Sequence, residues 1–126
     1  MQDKIVINNY IENDPLSEEN LDKTLETVNR FRLSLPNKSI WIYSGYTWEE
    51  CQPFNEDGLL KPDKFAPNLQ KILQKRYEVI SKCTIMVDGR YIDSQRNPSK
   101  KWAGSDNQRV ILIQKSLKQG KVITIE

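Results

Sequence analysis

Thr84-Ile85-Met86-Val87-Asp88-Gly89-Arg90-Tyr91 decides the reading of this chain, together with Trp102-Ala103-Gly104-Ser105-Asp106-Asn107-Gln108-Arg109, which follows a short basic loop. Three consecutive apolar residues, Ile85, Met86 and Val87, read as a strand buried on both faces, as in a covered parallel sheet. Asp88 and Gly89 end it, because glycine takes a positive φ that a residue with a Cβ resists. The second stretch crowds a hydroxyl, a carboxylate, two amides and a guanidinium behind an aromatic. It reads either as a loop that binds something or as one that ties down a chain crossing. Both readings stay open, since Ser, Asp, Asn and Gly are also ordinary turn residues.

Outward from that strand, the pattern alternates. Residues 4–11 are β-rich and predict a first strand, stopped by Asn13-Asp14-Pro15, where proline removes a donor and restrains its predecessor. Ser17 is placed to cap a helix whose first turn carries Glu18 and Glu19. Leu21, Leu25, Val28, Phe31 and Leu35 continue it at helical spacing until Pro36. Residues 39–44 predict the second strand, followed by Gly45-Tyr46. Thr47-Trp48-Glu49-Glu50 has the spacing of a capping box and predicts a short helix. Residues 52–67 hold three prolines and a glycine and predict a loop or insertion. Leu69, Ile72, Leu73, Tyr77 and Ile80 mark a second long helix leading into the 84–87 strand. Val110-Ile111-Leu112-Ile113 is ambiguous between strand and helix. Residues 116–118 read as helical, Gly120 as their stop, and 122–125 as a terminal strand. The β-α-β-α-β order predicts an α/β domain with a parallel sheet and right-handed crossovers.

In such sheets ligands bind outside the carboxyl ends of the strands. Those ends carry Asp14, then Ser44, Gly45 and Tyr46, then Asp88 and Gly89, which are the candidate cofactor-binding residues. Composition limits the rest. The 126 residues predict one domain, with 29% charged and 37% apolar residues as in globular proteins. A net charge of +2 gives no reason to expect nucleic acid, and the basic run at 96–101 reads as a solvated loop. No apolar run reaches the ~18 residues of a membrane span, and a cytoplasmic location is expected. Two cysteines, Cys51 and Cys83, with no histidine cannot complete a zinc or iron–sulfur site, and no imidazole-based catalysis is available. No residue is assigned as catalytic or as a metal ligand.

Four segments in order carry a family resemblance: Ile40-Trp41-Ile42-Tyr43-Ser44-Gly45-Tyr46-Thr47, Val87-Asp88-Gly89-Arg90-Tyr91, Gly104-Ser105-Asp106-Asn107-Gln108-Arg109, and the run from Gln114 to Val122. They resemble the activating protein of anaerobic ribonucleoside-triphosphate reductase, a radical S-adenosylmethionine activase. Asp14-Pro15-Leu16-Ser17 is similar to the end of that family's Gly-Gly-Asp-Pro-Leu segment.

The resemblance implies a radical-SAM-type partial barrel, incomplete here. It also implies a family chemistry in which a 4Fe-4S cluster on a CxxxCxxC motif cleaves S-adenosylmethionine and installs a glycyl radical. That motif is absent, and the resemblance places it upstream of everything matched, so the chain is expected to be truncated or split and not catalytic alone. Glu12-Asn13 replace the glycine pair, which is expected to weaken S-adenosylmethionine binding. No cofactor is expected on this chain by itself. It is expected to act by contact with a reductase or other protein, through Arg90, Trp102, Gly104, Ser105, Asp106, Asn107, Gln108 and Arg109. The alternative is a fragment of a true activase, completed by a cluster-bearing N-terminal half. The first strand is expected at an edge, where a homodimer or a partner strand would pair with it.

Overall fold

The computed structural model describes residues 4–8, 13–62 and 68–125. Strand β1 (Lys4–Ile7) leads to helix α1 (Glu18–Ser34), β2 (Ser39–Ser44), helix α2 (Leu69–Ser81), β3 (Ile85–Asp88), β4 (Arg109–Leu112) and helix α3 (Ile113–Gln119). The sheet order is β1-β2-β3-β4, with β1, β2 and β3 parallel and β4 antiparallel to β3. The fold is thus mixed α/β: the three strands of the β-α-β-α-β order are parallel as expected, and the run at 110–113, left open between strand and helix, adds an antiparallel strand. Ser44 pairs with Asp88 and Asp88 with Arg109, so the carboxyl ends of β2 and β3 meet the start of β4.

Alternation along each strand divides the core in two. Ile7, Ile40, Ile42, Met86 and Ile111 point to one face, where they are buried with Leu21 and Val28 of α1, Val79 and Ile80 of α2, and Ile113 of α3. Each such side chain adds roughly 1.5–3 kcal/mol. Trp41, Ile85, Val87 and Val110 point to the other face, which no α-helix of the described residues covers; Trp102 and Ala103 of the 89–108 loop pack there instead. The apolar run 85–87 is therefore buried from both sides, by helices on one and a loop on the other.

Local expectations are met unevenly. The first strand ends at Ile7; its expected continuation through Tyr10 and Ile11, and Glu12 beyond it, lie outside the described residues. Helix α1 ends as its Pro36 requires, but Leu35 is exposed and Thr24 takes a buried position, its hydroxyl donating to Pro15 O at 2.7 Å. Ser17 stands at the cap, yet its hydroxyl makes no capping bond and is buried without a partner. Asp14 organises that turn instead, its backbone carbonyl accepting from Ser17 N and Asn20 Nδ2.

The capping box is present: Thr47 N–H donates to Glu50 Oε1 at 2.8 Å and Glu50 N–H to Thr47 Oγ1 at 3.2 Å, although it starts only a single 3-10 turn, Glu49–Cys51. Residues 53–61 form a small turn closed by a Phe54–Leu60 bridge, and 63–67 lie outside the described residues. The ambiguous run splits between its two readings, strand through Leu112 and helix from Ile113. The expected terminal strand is reduced to one bridge, Ile111 to Thr124. Gly120 stops α3 in the left-handed region at φ 71°. Among the described residues no helix is long and apolar enough to cross a membrane.

Candidate functional site

The three parallel strands bring their predicted polar ends together. Asp14 is the first node. Its Oδ1 accepts from the Ser44 hydroxyl at 2.8 Å and from Leu16 N–H at 2.9 Å, and its Oδ2 from Gly45 N–H at 2.6 Å. Ser44 Oγ in turn accepts from Tyr46 N–H at 3.0 Å. A Cβ on Gly45 would lie 3.3 Å from Asp14 Oδ2 and 3.2 Å from Arg90 Cγ, tight enough that one of those side chains would have to shift by a few tenths of an ångström.

Asp88 is the second node and is 1% exposed. Its Oδ2 accepts from Trp48 N–H at 2.7 Å, and Arg109 grips both oxygens, Nε at 3.1 Å and Nη2 at 2.6 Å. The same guanidinium reaches Glu49 at 2.6 and 3.2 Å. That hydrogen bond holds the Glu49 carboxyl below the usual carboxylate range, against a smaller opposing effect of burial. Gly89, at φ 97°, turns the chain out of β3 and donates its N–H to Tyr46 O at 3.3 Å.

Residues 104–109 are spent largely on the chain crossing. Gln108 Oε1 accepts from Gly104 and Ser105 N–H at 2.9 and 3.1 Å, and its Nε2 donates to Gly89 O at 3.0 Å. Asn107 Nδ2 donates to Arg90 O at 2.7 Å, while its Oδ1 accepts from the Ser105 hydroxyl at 2.6 Å. Asp106 Oδ1 accepts from Asn97 Nδ2 at 2.7 Å. Of the expected partner-facing residues, Arg90 is exposed and Trp102 half-buried at the surface, whereas Ser105 is buried.

A cleft of about 390 Å³ opens at this end, lined by Asp14, Ser44, Gly45, Gly89, Arg90 and Gln108, with Tyr43 and Tyr91. Four contributors were not singled out from the sequence. Trp48 and Glu49 serve the Asp88 node, although only the capping box marked them. Tyr43 lines the cleft, and burial raises its phenol pKa above the ordinary value. Arg76 is buried, donates Nε–H to Leu16 O at 2.7 Å and stacks 4.1 Å from the Tyr46 ring centroid, so one face of that tyrosine is taken. The signal for Arg76 was its place three residues after Leu73 and four before Ile80, on the helix's core stripe.

Residues 13–111 match the family model described as the 4Fe-4S single cluster domain. The chain is also similar to anaerobic ribonucleoside-triphosphate reductase-activating proteins, including the following three. With that of Escherichia coli (strain K12) it shares 30% identity over 97 residues, 77% of this chain and 49% of that protein. With that of Vibrio cholerae the figures are 27% over 95 residues, 75% and 48%. With that of Enterobacteria phage T4 they are 28% over 98 residues, 77% and 47%. The chain thus spans about half the length of the curated relatives it matches. No solved structure matches it.

The residues present do not fit a 4Fe-4S cluster. Such a cluster is held by thiolates, and the chain has two cysteines and no histidine. Cys51 and Cys83 are both 0% exposed, and burial pushes each thiol up to about 12. Cys83 Sγ donates to Val79 O at 3.3 Å within α2. Among the described residues no group of three or more histidines, cysteines or carboxylates is placed to hold a metal.

Proposed function

From the premise that the chain belongs to the 4Fe-4S single cluster domain family and is similar to reductase-activating proteins, we propose that these residues act by protein contact in the activation of an anaerobic ribonucleotide reductase, and that they hold no cluster themselves. One observation carries the reading: both thiols are closed in the core, while the loop behind the ends of the second and third strands is held by its own hydrogen bonds. In this reading the sheet is the later part of a partial barrel. The Asp14 and Asp88 nodes fix its rim, and the partner meets Arg90, Trp102 and the 104–109 loop. The test is sedimentation of the purified chain with an anaerobic ribonucleoside-triphosphate reductase, with iron and sulfide analysis after anaerobic reconstitution. A complex with substantially less than one iron per chain is expected. Absence of a complex, or about four irons per chain as a 4Fe-4S cluster demands, overturns the reading.

The cleft favours a second reading. Asp14, Ser44, Gly45, Tyr46, Asp88 and Gly89 would face S-adenosylmethionine in an activase completed by a cluster-bearing half. Without a cluster to chelate the amino and carboxylate groups, and with Glu12-Asn13 in place of the glycine pair that the resemblance implies, weak binding by these residues alone is expected. Calorimetry is expected to show no micromolar affinity, which would correspond to about −8 kcal/mol.

A further inference from the structure

We infer, resting on the protein-contact reading, that Arg76 is a positioning residue for the partner contact of Arg90, holding the rim of the cleft from behind. Arg76 belongs to α2 and is 8% exposed. Its Nε–H donates to Leu16 O at 2.7 Å, and its guanidinium carbon lies 4.1 Å from the centre of the Tyr46 ring. Leu16 belongs to the segment before α1 and Tyr46 to the turn after β2. Those two segments also meet through Asp14, whose Oδ1 accepts from Leu16 N–H and from the Ser44 hydroxyl, while Ser44 Oγ accepts from Tyr46 N–H. The contacts therefore close a ring: Arg76, Leu16, Asp14, Ser44, Tyr46 and back to Arg76. Burying a guanidinium is costly, and among the described residues no carboxylate pairs with this one. An aliphatic side chain would fill the same helix position at less cost. Only a planar cation can lie on an aromatic face while its edge donates to a carbonyl, and that is how Arg76 joins the two segments.

Two links carry the ring to Arg90. Gly45 lies inside it, with its N–H on Asp14 Oδ2 at 2.6 Å, and a Cβ built there would stand 3.2 Å from Arg90 Cγ. The stem of Arg90 is thus packed on the Gly45 backbone. Tyr46 O accepts from the N–H of Gly89 at 3.3 Å, one residue before Arg90. Arg90 itself is exposed and lines the cleft. A long side chain whose stem is already held loses less freedom when its head meets a partner. Arg76 is not among the residues that line that cleft, so it acts on the contact only through Tyr46 and Gly45.

The experiment repeats the sedimentation of the full chain with an anaerobic ribonucleoside-triphosphate reductase as a double-mutant cycle: wild type, R76M, R90A and R76M/R90A. Amide hydrogen exchange is measured on the same proteins. R76M is expected to bind reductase several-fold more weakly, and to cause little further loss once Arg90 is gone. In R76M the Leu16, Gly45 and Tyr46 amides should exchange about tenfold faster, relative to those of α1 and β3. Tyr46→Leu opens the ring at a half-buried position and should reproduce both effects, which keeps the test decisive if R76M does not fold. Equal loss from R76M with and without Arg90 overturns the proposal, since a merely structural role would give that result. Binding of R76M or R90A like the wild type overturns it too, as does exchange at Leu16, Gly45 and Tyr46 no faster than in the helices. A wild-type chain that binds no reductase overturns the protein-contact reading itself. Faster exchange confined to those three amides would then still support Arg76 as the residue that holds the rim, and uniform exchange would overturn that as well.

Discussion

Asp88 shows how far a single residue can be read from sequence. Its place at the end of a buried strand, before a glycine, was legible. Its bidentate pairing with Arg109 was not, because no periodicity links residues 21 apart across an antiparallel turn. Arg109→Ala would leave a carboxylate that is 1% exposed with only the Trp48 N–H for company. Breaking a buried pair costs roughly 3–5 kcal/mol, and a guanidinium one-third open to water brings the expectation down to about 2 kcal/mol. Urea titration measures it, and an unchanged midpoint would refute it. Glu49 supplies a pH signature. Its folded pKa is lowered by the Arg109 hydrogen bond, so the stabilisation is complete above the unfolded value and fades as pH falls through the folded one. Its side chain is 62% exposed, so the contribution stays below about 1 kcal/mol. Glu49→Gln should therefore lower stability slightly at pH 7 and flatten its decline below about pH 4.3, the ordinary carboxylate value. Urea midpoints that fall as steeply in E49Q as in the wild type would contradict this.

At the scale of elements, the first three strands and the two long helices announced themselves, and the fourth strand and the long loop did not. Helix α2 was legible because Leu73 and Ile80 repeat at helical spacing. β3 was legible because three apolar residues precede a Gly turn. The run Val110 to Ile113 was not, since an edge strand passes directly into a helix there with no turn residue between. The 104–109 loop left two readings open because turn chemistry and binding chemistry use the same side chains. The structure assigns most of them to the crossing, with Gln108 at its centre. Gln108→Ala removes two acceptor bonds and one donor bond at once. At about 1 kcal/mol net per bond, less for those at the surface, a loss of about 1–2 kcal/mol is expected. Hydrogen exchange should locate it: Gly104 and Ser105 amides exchange faster while α1 and α2 keep their protection. Uniform acceleration across the helices would show that the loop is not a separable unit.

Over the whole molecule, the two sheet faces have different covers, and this bears on what the chain can carry. The helical face is a continuous core that encloses both cysteines with Ile40, Ile42 and Met86. The opposite face is closed by a loop and a tryptophan. The scarcity of soft ligands is legible in the residue count, but only packing shows that the two thiols present are withdrawn from chemistry. With both thiols pushed up to about 12, only on the order of one in ten thousand is ionised at pH 8, and the thiolate is the form that reacts and binds metal. Ellman's reagent at pH 8 should therefore leave both cysteines untouched in the native chain and titrate both in urea. The native reaction rate should track the fraction of chains transiently open. Denaturant too dilute to unfold the protein should raise it only in proportion to the fraction opened. Cys51→Ala and Cys83→Ala separate the two, since Cys51 sits at the rim turn and Cys83 at the end of α2. Rapid modification of either thiol in the folded protein would show that it reaches solvent without unfolding, and the closed core that keeps a cluster off these residues would no longer account for them.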